Sequence, residues 1–132
     1  MSEIPEFTVD VITCDTPTAR GRIYPRDVIE KALPAFKKLI KNECALGFIE
    51  TKGGSGMVNI DNATHLITKA ELKGSVLKAR IRPLNQKYLS EYMESAYKNN
   101  RIKFYMRGLG TVNADRTVSH FEILSIDVGV TT

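Results

Sequence analysis

Acyl-transfer chemistry needs a nucleophile beside a base, and this sequence offers few bases. Its two histidines are His65 and His120. Each follows a hydroxyl residue, Thr64 or Ser119, and Ser125 lies a little beyond His120. All of these fall in segments that read as strands, where adjacent residues point to opposite faces. Thr64 is therefore not expected to reach His65, nor Ser119 to reach His120. Ser125 falls on the face opposite His120 if its strand is regular. Both histidines read instead as half-buried, hydrogen-bonded rings. Cys14 and Cys44 have neither metal-ligand spacing nor a Cys/His cluster around them. They read as reduced, half-buried thiols of a cytosolic protein, and no metal or cofactor is expected.

The other chemistry-bearing features are weaker. Lys52-Gly53-Gly54-Ser55-Gly56 offers backbone N–H groups to a phosphate, but the Walker spacing is absent and a loop is the simpler reading. Asp61 and Glu71 lack a convergent partner and read as surface charges. Positive charge gathers at Lys37, Lys38 and Lys41, and again at Lys98, Arg101, Lys103 and Arg107. No aromatic ladder interleaves with these cations, which argues against nucleic acid and for solvated faces or an acidic protein surface.

The elements that must position these residues follow from periodicity. Phe7–Thr13 alternates and is β-branched, so it reads as a strand. From Pro25 onward Val28, Ile29, Ala32, Leu33, Phe36, Leu39 and Ile40 recur at helical spacing, predicting a helix over Arg26–Lys41. Pro34 should kink or split that helix. A short strand is expected at Ala45–Ile49. Two more, Ala63–Leu72 and Val76–Leu84, are joined by a turn at Lys73-Gly74-Ser75. In the second, Leu77, Ala79 and Ile81 alternate with Lys78, Arg80 and Arg82. Asn85 suits a cap for a second helix over Gln86–Lys98, with Tyr88, Leu89, Tyr92, Met93 and Ala96 as its apolar stripe and Asn99-Asn100 closing it. Strands at Ile102–Met106 and Thr117–Val130 complete the order β, α, β, β, β, α, β, β. That order suits an α+β fold with mostly antiparallel pairing.

The chain has 132 residues, 42% of them hydrophobic and 26% charged, which suits one domain over residues 1–132 with one core. Apolar residues spread along the whole length argue against disorder. No apolar run is long enough for a membrane span, and MSEIPEF does not read as a secretory signal. A net charge of +4 is only mildly basic.

Six segments, in order along nearly the whole chain, resemble the prohead (head-maturation) proteases of tailed phages, relatives of the herpesvirus assemblin fold. They are Gly21-Arg22-Ile23-Tyr24-Pro25 with Val28–Ala32, Leu46-Gly47, Thr64–Ile67, Leu72-Lys73-Gly74, Arg107–Gly110 and Ile126-Asp127-Val128. The resemblance implies a small, mostly antiparallel β-barrel flanked by two helices. It also implies a histidine where this chain has Thr51 and a nucleophilic serine where it has Tyr105. Threonine has no basic nitrogen, and a tyrosine phenol is a poor acyl-transfer nucleophile. The chain is thus identified as a degenerate member, a pseudoprotease, with Thr51 and Tyr105 expected close together. Arg107-Gly108 falls where the family's backbone holds an oxyanion.

The expected role is a non-catalytic, capsid-associated structural, decoration or head-assembly protein, in the virion or the host cytoplasm. Its expected partner is a capsid or other virion protein, or another copy of itself. Tyr105 is expected to plug or anchor the vacated groove, with Phe104 and Met106 on the core side. Arg101, Lys103, Arg107 and Gly108 complete the candidate binding set. The alternatives are an anti-defence or regulatory binder of a peptide or nucleotide, and an active protease with relocated residues.

Overall fold

The computed structural model describes residues 5–18, 21–48, 63–84 and 87–130. The elements run β1 (Phe7–Thr13), α1 (Arg26–Lys41), β2 (Leu46–Gly47), β3 (His65–Lys73), β4 (Val76–Pro83), α2 (Lys87–Lys98), β5 (Ile102–Val112) and β6 (Val118–Val130). Their order and types match those read from the sequence. A four-stranded antiparallel sheet has the order β1-β4-β3-β2, and β5 and β6 form a separate two-stranded antiparallel sheet. Among the described residues the two sheets do not close into a barrel, which corrects that expectation. A backbone bond from Val128 N to the Phe48 carbonyl at 2.9 Å carries pairing from the end of β2 onto β6.

The core lies between the sheets and α1. Val28, Ile29, Ala32, Leu33 and Phe36 form the buried face of α1, which packs on β6 and β3. Phe36, Ile29, Ile67, Leu77, Ile81 and Ile126 are among the largest fully buried side chains. Each such side chain contributes roughly 1.5–3 kcal/mol through removal from water. In β4, Leu77, Ala79, Ile81 and Pro83 are buried while the intervening basic residues are half-buried or exposed, as the alternation requires.

Pro34 does not split α1, which runs unbroken through it. Its ring lies on the exposed side of the helix, where the carbonyl left without an N–H partner faces solvent rather than core. Both helices end alike. Glu43 and Asn100 take the left-handed conformation (φ 57° and 58°), and paired backbone bonds close the last turn: Cys44 N to Leu39 O with Glu43 N to Ile40 O, and Arg101 N to Ala96 O with Asn100 N to Tyr97 O.

The buried face of α2 differs from the expected stripe. Ser90, Met93 and Ala96 are buried, and Tyr97 is partly so, whereas Tyr92 is 57% exposed. The Ser90 hydroxyl donates to the Pro5 carbonyl at 2.9 Å, and Tyr92 lies under the Arg101 guanidinium at 5.9 Å. Met93 and Ala96 keep the expected burial, while Ser90 joins the buried face and Tyr92 leaves it. Asn85, and the side chains of Tyr88 and Leu89, lie outside the description.

β5 continues past Met106 to Val112 through Gly108-Leu109-Gly110, which is strand rather than turn. A Cβ at Gly108 would sit on the Glu122 carbonyl, and one at Gly110 on the His120 carbonyl. These glycines therefore let β6 approach where the register shifts between Arg107 and Gly108. No helix among the described residues is long and apolar enough to cross a membrane.

Candidate functional site

Cross-strand register between β5 and β6 sets one side of the site. Tyr105 pairs with Asp127, and Arg107 pairs with Ser125, so these four share a sheet face. Phe104 and Met106 alternate with them; Phe104 is buried and Met106 is packed against the core, as expected. Tyr105 is half-buried.

Asp127 is the electrostatic centre of that face. It is only 6% exposed, yet it accepts three donors. The Ser125 hydroxyl reaches Oδ1 at 2.7 Å, the Phe48 N–H reaches Oδ1 at 3.2 Å, and Arg107 Nε reaches Oδ2 at 2.8 Å. The Arg107 guanidinium also lies over the Phe48 ring, 5.7 Å from its centre. A buried carboxylate is tolerable only with such partners. Sequence reasoning assigned Asp127 no role. The available signal was an acid inside an apolar run, Ile126-Asp127-Val128, since an acid buried in a strand is nearly always partnered.

His65 lies nearby, on the core side of the same seam. It is fully buried. Nε2 lies 2.7 Å from the Ile126 carbonyl, and Nδ1 lies 2.7 Å from Thr64 Oγ1. A carbonyl only accepts, so Nε2 carries the proton and Nδ1 accepts from the threonine hydroxyl. The contact overturns the expected separation of Thr64 and His65. Thr64 precedes β3, so strict strand alternation does not govern it. The ring lies over Gly47, where a Cβ would collide with the imidazole, and meets Phe104 edge-on at 5.5 Å. Burial pushes the His65 pKa below its ordinary value, against the raising effects of the Ile126 carbonyl and the Asp127 charge.

The remaining candidates scatter. His120 is exposed rather than half-buried, and Ser125 is buried against Asp127. The β6 strand is not regular: Leu124 is extra in the register between Ile123 and Ser125. Arg101 is engaged over Tyr92 and Arg107 with Asp127, so only Lys103 of the expected basic set lines a cleft with Tyr105. Cys14 is buried, with its pKa raised by burial and then by Asp15, while Cys44 is exposed; both are free thiols. Glu71 lies near Lys69 and Lys73, at 3.7 and 3.6 Å. Thr51, the Lys52–Gly56 loop and Asp61 lie outside the described residues. No cluster that could hold a metal ion occurs among the described residues.

No protein-family model and no curated protein matches the chain. Among solved structures, the chain is similar to the bacteriophage T4 capsid assembly protease, gp21. The TM-score is 0.78 with 18% identity, over 96% of this chain and 82% of that one. The chain therefore has a fold like that of a phage capsid assembly protease.

Proposed function

We propose that this chain is a non-catalytic, head-associated phage protein: a capsid-binding, decoration or head-assembly subunit on a prohead-protease-like fold. The observation that carries this reading is what surrounds Tyr105. The position that the resemblance gives to a nucleophile holds a phenol, and directly across from it stands a carboxylate already occupied by Arg107, Ser125 and the Phe48 N–H. Such a face can hold a partner, and its one hydroxyl–carboxylate contact among the described residues, Ser125 with Asp127, is buried beneath a carboxylate already held by Arg107 and the Phe48 N–H. Tyr105 and its cationic neighbours Arg101, Lys103 and Arg107 then serve as the contact set for an acidic virion protein.

The test is mass spectrometry of purified mature particles, combined with Tyr105→Ala and Arg101→Glu variants. Stoichiometric presence in particles, with reduced incorporation of either variant, supports the reading. Absence from particles favours the anti-defence or regulatory binder.

One contact favours a second reading, relocated hydrolytic chemistry: the Thr64 hydroxyl against His65 Nδ1. Against it, the ring is fully buried, its basicity is lowered, and its other nitrogen is held by a carbonyl. Fluorophosphonate labelling that disappears in Thr64→Val would establish this second reading and displace the first.

A further inference from the structure

The edge of β1 away from β4 and the edge of β5 away from β6 carry no strand partner among the described residues. They approach each other at one end, where the Phe7 and Phe104 rings meet edge-on at 6.1 Å; beside that contact the Tyr97 hydroxyl of α2 accepts the Asp10 N–H of β1 at 2.9 Å. Beyond that point they part. Between Asp10–Thr13 of β1 and Ile102–Met106 of β5 lies a cleft of about 540 Å³, in the size range of sites for small ligands or short stretches of peptide. β1 also loses register with β4 between Asp10 and Ile12, beside the cleft.

Two facing strand edges with a gap between them form a template for a further strand, because their outward N–H and C=O groups have no ladder to join; the Asp10 N–H is taken by the Tyr97 hydroxyl, which leaves the β5 edge and the rest of β1 to pair. The charge of the lining selects among occupants. Arg22, Lys98 and Lys103 line the cleft; among the described residues the one carboxylate with them is Asp10, which is already bonded to Lys78 at 2.7 Å. Lys98 is paired with Glu94, whereas Arg22 and Lys103 make no ion pair among the described residues. The aromatic lining is largely committed elsewhere. Tyr24 packs edge-on against Phe121, and Tyr97 packs against Phe7 and Phe104, so neither is an open platform for stacking a nucleic-acid base.

We propose that the β1–β5 cleft binds an extended acidic segment of a partner protein. The segment adds as a strand to the open edges, and its carboxylates meet Arg22 and Lys103. This rests on the reading of the chain as a binding subunit and names the chemistry of what is bound. Backbone pairing supplies affinity that tolerates sequence variation in the partner, and the two cations select against basic segments.

The experiment uses the purified full chain and a fluorescein-labelled, N-acetylated peptide of about nine residues, the length of a long strand, alternating valine and glutamate. The expected result is a saturable rise in anisotropy, with amides of β1 and β5 gaining hydrogen-exchange protection. Arg22→Glu combined with Lys103→Glu should weaken binding about tenfold. Both side chains are exposed, and circular dichroism checks that the variant folds. Methylating alternate amides of the peptide should abolish binding without altering the protein. The proposal is overturned if the wild type gives no rise, if the methylated peptide or a lysine-for-glutamate peptide binds equally well, or if oligothymidylate competes at equal affinity. Particle incorporation plays no part in these measurements. Loss of the proposed head role and loss of this site would therefore appear in different experiments.

Discussion

The two sheets meet along two seams, β2 with β6 and β1 with β5. At the β2–β6 seam, Val128 N bonds the Phe48 carbonyl, Phe48 N bonds Asp127, and His65 spans from β3 over Gly47 to the Ile126 carbonyl. Every polar group just named has its partner within the protein, and the ring and carboxylate are buried. At the β1–β5 seam, the Phe7 and Phe104 rings meet, the Tyr97 hydroxyl reaches in from α2 to the Asp10 N–H, and the edges then separate around a cleft. The first seam fixes the relative position of the sheets. The second leaves backbone groups to water or to a partner. A fold can thus forgo barrel closure on one side if the other is held by side chains that tolerate little change.

The largest losses should come from the closed seam. His65→Ala removes the ring over Gly47, opens a cavity beside Phe104 and leaves the Ile126 carbonyl without its donor. A destabilisation of about 3–4 kcal/mol is expected in urea unfolding. Gly47→Ala approaches the same joint from the other strand by driving a methyl into the imidazole. It should cost about 3 kcal/mol. Losses below about 1 kcal/mol in both would mean that the seam is not what holds the sheets together.

Asp127→Ala should cost somewhat less, about 2–3 kcal/mol, because it strands the buried Ser125 hydroxyl and the Phe48 N–H while Arg107 can turn to solvent. If the Asp127 cluster is structural, the variant should also lose hydrogen-exchange protection at Phe48 and Val128. Retained protection at both amides would separate the cluster from the seam.

A smaller effect is expected from pH. Folding holds His65 neutral below its ordinary pKa of about 6.5, chiefly through burial. In the window below that value the unfolded chain binds a proton that the folded chain refuses. Stability should therefore fall as pH drops, and it is fully present above the window. Denaturant midpoints from pH 7.5 to pH 5, near the ordinary histidine value, should show a shallower slope in His65→Asn than in the wild type. Equal slopes would mean that another group governs the acid side.

Element order and the main helix were legible because they follow from local pattern. Phe7–Thr13 and Arg26–Lys41 have the bounds that alternation and helical spacing give. The closed seam was not legible. The Thr64–His65 contact depends on where β3 begins, and strict alternation excluded it. Asp127 joins groups far apart in sequence, so only its presence among apolar residues hinted at a role. The missing barrel closure was equally invisible, because each strand reads the same whether its edge is paired or open. The burial of Ser90 and the exposure of Tyr92 go with two contacts, Ser90 with Pro5 and Tyr92 with Arg101, that no periodicity encodes.

The smallest effect should come from the open seam, and its size is informative. Tyr97→Phe deletes the hydroxyl that receives the Asp10 N–H and leaves the ring packed against Phe7 and Phe104. The bond is exposed, so water can take the place of the lost acceptor. The cost should be about 0.5–1 kcal/mol, the net worth of an exchangeable hydrogen bond. Amide exchange at Asp10 should quicken while that of Phe48 and Val128 stays unchanged, since those amides belong to the other seam. A loss above about 2 kcal/mol, or faster exchange spreading to Val128, would mean that the β1–β5 seam carries structural weight after all. A joint of that kind would have little freedom to admit a strand, so the outcome bears directly on whether the cleft can receive a partner.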